Sequence, residues 1–359
     1  MTNSVVKNDL ENIFNRFPQP ELFKGKTVLI SGFAGFLGFY LTHYFIGLSA
    51  DGMAVDRLIL LDSFILGRPD WVEALRQDPR VEIHPFEVSK DNISLIASAA
   101  QADYVIHLAS VASPVYYRQY PLQTIDANVG GLRKLLDFYA GKQLRGFLLF
   151  SSSEIYGNPS SEAIPTPEDY FGYVSCTGPR ACYDEAKRFS ETLGEVFYQT
   201  VKLPVRIVRP FNNYGPGMRL DDGRVPADFA QAVMQGRDLV IYSDGSPTRT
   251  FCYVTDAVVG YLKALTHSSF DIFNIGMDQP EIRIDDLARL YQRTAKKLLN
   301  YQGQVMMKVS ADKDYLTNSP LRRCPSIAKA RQILGYAPVI TPEVGVERFL
   351  NFLLEENKV

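Results

Sequence analysis

The chain of 359 residues lacks the features that membrane insertion, metal binding or disulfide bonding would require. No apolar run approaches the ~18 residues that cross a bilayer. The stretch from Met1 to Lys26 is polar and mixed in charge, unlike a signal peptide. There are only four cysteines (Cys176, Cys182, Cys252 and Cys324) and four histidines (His43, His84, His107 and His267), scattered without metal-type spacing. That pattern argues against a metal site and reads the cysteines as buried, reduced thiols of a cytoplasmic protein. Lys and Arg number 38 against 40 Asp and Glu, a net charge of −2, so there is no basic surplus for nucleic acid or an anionic membrane. No internal repeat or low-complexity tract occurs.

What remains is a chain of ordinary globular composition, 46% hydrophobic and 22% charged, longer than most single domains. Short apolar runs alternate with helical patterns. Thr27–Ser31, Arg57–Leu61, Val81–Phe86, Tyr104–Leu108, Phe147–Phe150 and Val205–Val208 read as buried strands. Between them, Asp91–Ala100, Leu122–Tyr139 and the stretch through Phe189, Leu193, Val196 and Phe197 read as helices. This order predicts an α/β fold, a doubly wound parallel sheet with a smaller C-terminal substrate lobe. The expected boundaries are an N-terminal arm over 1–25 and a dinucleotide-binding domain over 26–209. A mainly substrate-binding lobe over 210–359 would be interleaved with late elements of the sheet.

The first strand leads into Gly32-Phe33-Ala34-Gly35-Phe36-Leu37-Gly38 and then an apolar helix. Gly32 allows a tight turn, Gly35 lets backbone approach a pyrophosphate, and Gly38 lets helix pack closely on strand. Phe36 and Leu37 open the helix, whose free N–H groups and positive dipole end suit phosphates. The second strand ends in Asp62, an acid that binds ribose hydroxyls and repels a 2′-phosphate, so NAD is favoured over NADP. Ser63, Leu108 and Ala109 at the end of the fourth strand, and Tyr183 and Lys187 further along the chain, complete the expected cofactor-binding set.

A second constellation runs from Ser151 to Lys187. Tyr183 and Lys187 are four apart on one helical face, so the ammonium can lower the phenol's pKa towards that of a working base. Ser151, Ser152, Ser153 and Glu154 follow a strand end. They should therefore share one rim with the Gly32 turn, outside the carboxyl ends of the strands. The set can take a proton from a sugar alcohol while a cofactor accepts hydride.

These motifs, with Arg209-Pro-Phe-Asn-Asn-Tyr-Gly-Pro216, resemble the extended short-chain dehydrogenases that act on nucleotide sugars. Within that group the similarity is greatest to the UDP-glucuronate decarboxylases (UDP-xylose synthases). It rests on Gly178-Pro-Arg-Ala-Cys-Tyr-Asp-Glu-Ala-Lys-Arg188, Asp222-Gly-Arg-Val225, Gly245-Ser-Pro-Thr-Arg-Thr-Phe251 and Arg323-Cys-Pro325. Val111, Asp126 and Ser326 depart from that pattern, where Pro, Lys and Asp are usual. The resemblance implies Tyr183 as base for O4, assisted by Lys187 and Ser152. It places Ser153 and Glu154 near the sugar, with Glu154 assisting proton transfer, and Arg249 at the reacting centre. Asn212, Arg224, Val225, Tyr242 and Arg323 are the implied binders of the nucleotide sugar, and the related proteins pair as homodimers.

The implied chemistry is self-consistent. Removing hydride from C4 of a hexuronic acid leaves a ketone β to the carboxylate, which then departs as CO2. A 4,6-dehydratase or 4-epimerase on the same scaffold, or a dinucleotide-binding protein without catalysis, stays open at this level. Against the dehydratase stands Ser153, where related dehydratases carry an acid to protonate the leaving hydroxyl.

Overall fold

The computed structural model describes residues 3–50, 52–309, 317 and 320–356. Seven parallel strands form the central sheet: β1 (Thr27–Ser31), β2 (Arg57–Asp62), β3 (Val81–Pro85), β4 (Tyr104–His107), β5 (Gly146–Phe150), β6 (Val205–Pro210) and β7 (Ile272–Ile275). Their order is β7-β6-β5-β4-β1-β2-β3, so the chain reverses direction across the sheet between β1 and β4. Every residue of β1 and β5 is buried, which is what continuous apolar runs covered on both faces require.

Helices cover both faces. The segment after the glycine loop is α2 (Phe36–Gly47), preceded in the chain by α1 (Ser4–Arg16). Residues 38 to 45 of α2 are all buried, as its all-round apolar sequence dictates. The long amphipathic stretch is helical over 121–139 but widens into a π turn at Asp126–Gly131. Inside that turn the Asn128 carbonyl accepts a hydrogen bond from Ser190 at 2.9 Å. Ser190 belongs to the next long helix, α4 (Ala181–Val201), with 121–139 counted as α3.

Two expectations need correction. Asp91–Ala100 is not one helix but two 3-10 turns, Ile93–Leu95 and Ala97–Gln101. Asn92 accepts from the Ser94 amide at 3.1 Å, a local bond that competes with a continuous helix. The cysteines are free, but only Cys252 and Cys324 are buried, while Cys176 is exposed. The first 25 residues hold α1, which buries Val6, Leu10 and Ile13 against α2 and two later helices, α6 (Val254–Leu265) and α8 (Pro342–Glu356).

Past β6 the chain builds small paired strands. Thr248–Arg249 lies between Ile282–Arg283 and Arg322–Arg323, and Asn213–Tyr214 pairs with Cys252–Tyr253. Helices α5 (Val225–Met234) and α7 (Ile284–Leu299) pack together beside them. Among the described residues no helix is long and apolar enough to cross a membrane.

Candidate active site

The C-terminal ends of β1, β2, β4, β5 and β6 open into one cleft of about 2470 Å³, closed on the far side by the small strands and α5. Every residue singled out above as catalytic, cofactor-binding or substrate-binding lines this cleft. Sheet topology accounts for this convergence, because parallel strands deliver all their outgoing loops to one rim.

At the β1 end, Gly32 has φ +78°, and a Cβ there would meet the Ala109 backbone nitrogen at 2.6 Å. A Cβ on Gly38 would meet the Phe33 carbonyl oxygen at 2.2 Å, so helix and loop touch backbone to backbone. Gly35 differs. A Cβ there meets nothing closer than Gly32 oxygen at 3.4 Å, so what it would obstruct is the cleft rather than the protein. Gly35 also caps α2 without a side chain, leaving the first amides of the helix open to an anion. The Asp62 carboxylate accepts from Ala34 N at 3.0 Å and Phe64 N at 2.8 Å, which ties it to the glycine loop. Burial pushes its pKa up, while those two amides hold it back. With Ser63, Leu108 and Ala109 along the same wall, these residues fit a dinucleotide whose diphosphate sits at the α2 terminus.

At the β5 end, Tyr183 and Lys187 are both buried on α4. The Lys187 ammonium donates to the Phe150 carbonyl at 2.7 Å and lies 5.8 Å from the Tyr183 ring centroid. Burial lowers its pKa to about 7, with Glu191 opposing. Burial pushes Tyr183 up to about 12, against a hydrogen bond with Ser152 that favours the phenolate. Ser152 Oγ also accepts from the Glu154 amide at 3.2 Å, which fixes the turn carrying Ser153 and Glu154.

Glu154 does not stand free. Arg323 grips both of its carboxylate oxygens, and Arg180 donates to one of them. Although burial alone would raise it, these two guanidiniums bring its pKa down to about 2. A carboxylate so held anchors two cations and, while ionised, has no proton of its own to donate. Arg180 in turn contacts Asp184, whose carboxyl burial raises to about 7 with help from the Glu154 charge. Among the described residues, one Asp184 oxygen is buried with no hydrogen-bond partner. Arg249 lies beside this group but spends its donors on three carbonyls: Thr248 at 2.7 Å, Leu321 at 3.1 Å and Pro320 at 2.7 Å. Burial and the Arg323 charge lower its pKa to about 9.

The remaining residues occupy the other end. Arg224 pairs with both oxygens of Asp222 at the start of α5, next to Val225. Asn212 has φ +40° and donates its side-chain amide to the Thr250 carbonyl at 2.9 Å. Tyr242 is 40% exposed at the cleft mouth and is not core. Sequence reasoning gave Arg180 no firm role and passed over Tyr117 and Asp184. Arg180 and Asp184 stood inside the quoted Gly178–Arg188 motif, whereas Tyr117 carried no signal of its own.

Comparison with known proteins agrees with this geometry. The sequence pattern of the NAD dependent epimerase/dehydratase family matches residues 28–276. UDP-glucuronic acid decarboxylase 1 of Arabidopsis thaliana is 34% identical over 335 residues, 92% of this chain and 71% of that protein. UDP-glucuronic acid decarboxylase 1 of Xenopus tropicalis is 35% identical over 331 residues, 92% of this chain and 73% of its own. Among solved structures, UDP-glucuronic acid 4-epimerase from Bacillus cereus superposes with a TM-score of 0.75 at 22% identity, over 92% of this chain and 99% of that one. That protein was crystallised with UDP-glucuronic acid and NAD.

Proposed function

The chain belongs to the NAD-dependent epimerase/dehydratase family, and on that premise we propose that it decarboxylates a UDP-hexuronate, UDP-glucuronate to UDP-xylose, using NAD. One observation carries the choice of substrate. Three guanidiniums, Arg180, Arg249 and Arg323, surround Glu154 and Asp184, a cationic excess at the end of the cleft that holds Tyr183. A sugar carboxylate supplies the missing anion, and a neutral hexose does not. Ser153 fits the same reading, because CO2 departs without the acid that a leaving hydroxide needs.

Bound NAD supplies the acceptor for hydride from C4 and later returns it. Tyr183 takes the O4 proton through its contact with Ser152, and Lys187 stabilises the phenolate. The C4 ketone then accepts the electron pair released as CO2 leaves, with Tyr183 and Ser152 as donors to the enolate oxygen. Glu154 holds Arg180 and Arg323 in place throughout. Asn212, Arg224, Val225 and Tyr242 line the path taken by the nucleotide diphosphate. Apolar Leu122 and Ile125 on α3, with Phe189 and Val196 on α4, are exposed side chains of two neighbouring helices, and they favour a homodimer. Sedimentation at twice 40.4 kDa is the expected outcome.

The test is incubation of the NAD-loaded protein with UDP-glucuronate, UDP-glucose and dTDP-glucose, followed by mass spectrometry. Loss of CO2 from UDP-glucuronate alone is expected. A 4-keto-6-deoxy sugar from dTDP-glucose, or UDP-galacturonate as the only product, would overturn the reading.

A further inference from the structure

Behind the cleft wall lies a buried ion pair that the chemistry above leaves unused. Glu191 is on α4, one turn past Lys187 and on the same helical face. Its carboxylate accepts from Arg209 Nε at 2.9 Å and from a second Arg209 nitrogen at 2.6 Å. The two side chains are 11% and 7% exposed, and neither residue is among those lining the cleft. Arg209, at the end of β6, also donates to the Tyr156 hydroxyl at 2.6 Å and the Glu168 carbonyl at 2.7 Å, which hold its planar fork in place. Such a pair adds little stability by itself, because desolvation offsets the attraction of its charges. Its reason lies in what it adjoins.

A third side chain joins the pair from the cleft. Ser151 Oγ donates to Glu191. Ser151 sits between the two residues at the end of β5 that engage the reacting pair. On one side the Phe150 carbonyl accepts from Lys187 at 2.7 Å, and on the other Ser152 bonds Tyr183. Glu191 thus holds the strand end that holds both groups, and its charge lies one helical turn from the ammonium. Other elements packed around Lys187 bring no second free anion among the described residues. His107 of β4 is kept neutral by burial and by the Lys187 charge. Asp126, Arg133, Lys134 and Asp137 of α3 are exposed. Glu154 and Asp184 are paired with Arg180, and Glu154 also with Arg323.

We propose that Glu191 is a positioning residue for the hydride step, acting on Lys187 through its charge and, through Ser151, on the strand end that aligns Lys187 with Tyr183. Arg209 fixes that carboxylate. Burial draws Lys187 away from its charged form, and the Glu191 charge opposes it. The ammonium is the form that stabilises the Tyr183 phenolate, so its loss stops proton removal from O4. Lys187 already stands at about 7, so a change in the charge behind it moves activity within the neutral range. The proposal rests on the NAD-dependent decarboxylase reading and adds to it the group that sets its working pH.

The test is Glu191→Gln, with CO2 release from UDP-glucuronate followed across pH at saturating NAD. Wild-type kcat should fall on the alkaline side as Lys187 loses its proton. Removing the carboxylate charge lowers the proton affinity of Lys187 further, so in the variant that fall should begin about one pH unit or more lower. At a fixed pH above it, kcat should then be about ten-fold lower, with KM for UDP-glucuronate unchanged. Glu191→Asp keeps the charge and should keep the wild-type alkaline limb, at a reduced kcat because its shorter side chain reaches Ser151 less well. Ser151→Ala keeps Glu191 and should lower kcat without moving the limb. If Glu191→Gln does not fold beside an unpaired Arg209, Glu191→Gln combined with Arg209→Gln removes both charges and should show the same shift. A limb that stays in place in either protein carrying Glu191→Gln would overturn the proposal. So would an equal shift in Glu191→Asp, or a loss confined to KM. Absence of CO2 from the wild type would instead overturn the decarboxylase reading, and this proposal with it.

Discussion

Tyr183 is pulled two ways, since burial and the nearby Glu154 and Asp184 favour its protonated form while the Ser152 hydrogen bond and the Arg224 charge favour the phenolate. Tyr183→Phe removes one hydroxyl and little volume. Turnover should fall about 10²-fold or more, with NAD affinity unchanged by titration; near-wild-type rates would remove Tyr183 from the chemistry. Asp184, its neighbour in sequence, gives a pH signature. Its carboxyl is raised to about 7 in the folded protein, above the ordinary 3.8. Such a group favours folding while protonated and loses that contribution as pH climbs through about 7. Wild-type stability should therefore drop between roughly pH 4 and 7 by an amount that Asp184→Asn escapes. In melts at about pH 5 and about pH 8, the variant's Tm relative to wild type should rise by about 2 °C or more. A constant difference would place the charge elsewhere. Tyr183 and Lys187 were legible as a pair because their spacing is local. The clamp on Glu154 was not, since Arg323 is 169 residues away and its motif says nothing of what it grips.

Among the elements, α2 and its glycine loop separate a demand of the fold from a demand of the ligand. Gly38→Ala drives a methyl into the Phe33 carbonyl, and neither backbone can yield cheaply. The protein should lose roughly 1–3 kcal/mol of stability as well as NAD affinity. Gly35→Ala meets no such wall, so its thermal unfolding should match wild type while NAD binding weakens. Equal thermal destabilisation of both variants would mean that Gly35 serves packing. The strands of the sheet were readable from short apolar runs, since a strand buried on both faces has no other composition open to it. Asp91–Ala100 was misread as one helix because periodicity cannot weigh a local Asn92 cap against propagation of the helix.

In the whole molecule, α1 is a structural member and not a loose arm. Its Asp9, fully buried, accepts from Tyr40 of α2 at 2.6 Å, from Tyr253 at 2.6 Å and from Arg348 of α8 at 2.8 Å. One carboxylate thus joins α1 to α2, to the strand that ends in Tyr253 and to α8. Asp9→Ala would leave a cation and two buried hydroxyls without their partner, at a cost of about 3 kcal/mol or more by denaturant unfolding. A loss under about 1 kcal/mol would show that the apolar face of α1 suffices without the carboxylate.

Sequence alone determined what depends on near neighbours. The alternation of strands and helices, the glycine turn into α2, the acid at the end of β2 and the Tyr183–Lys187 pair are all written within a few residues of one another. Local backbone preference and apolar periodicity are short-range, so they can be read without knowing the fold. Tertiary structure decided which charges meet. Arg180 and Arg323 close on Glu154, Tyr117 stacks on Tyr183, and Asp9 ties together three other elements. Those contacts depend on strand order, which brings distant loops to one rim. In a buried site the charge that arrives there sets each group's proton affinity, and so Arg180 and Arg323 hold Glu154 in its ionised form.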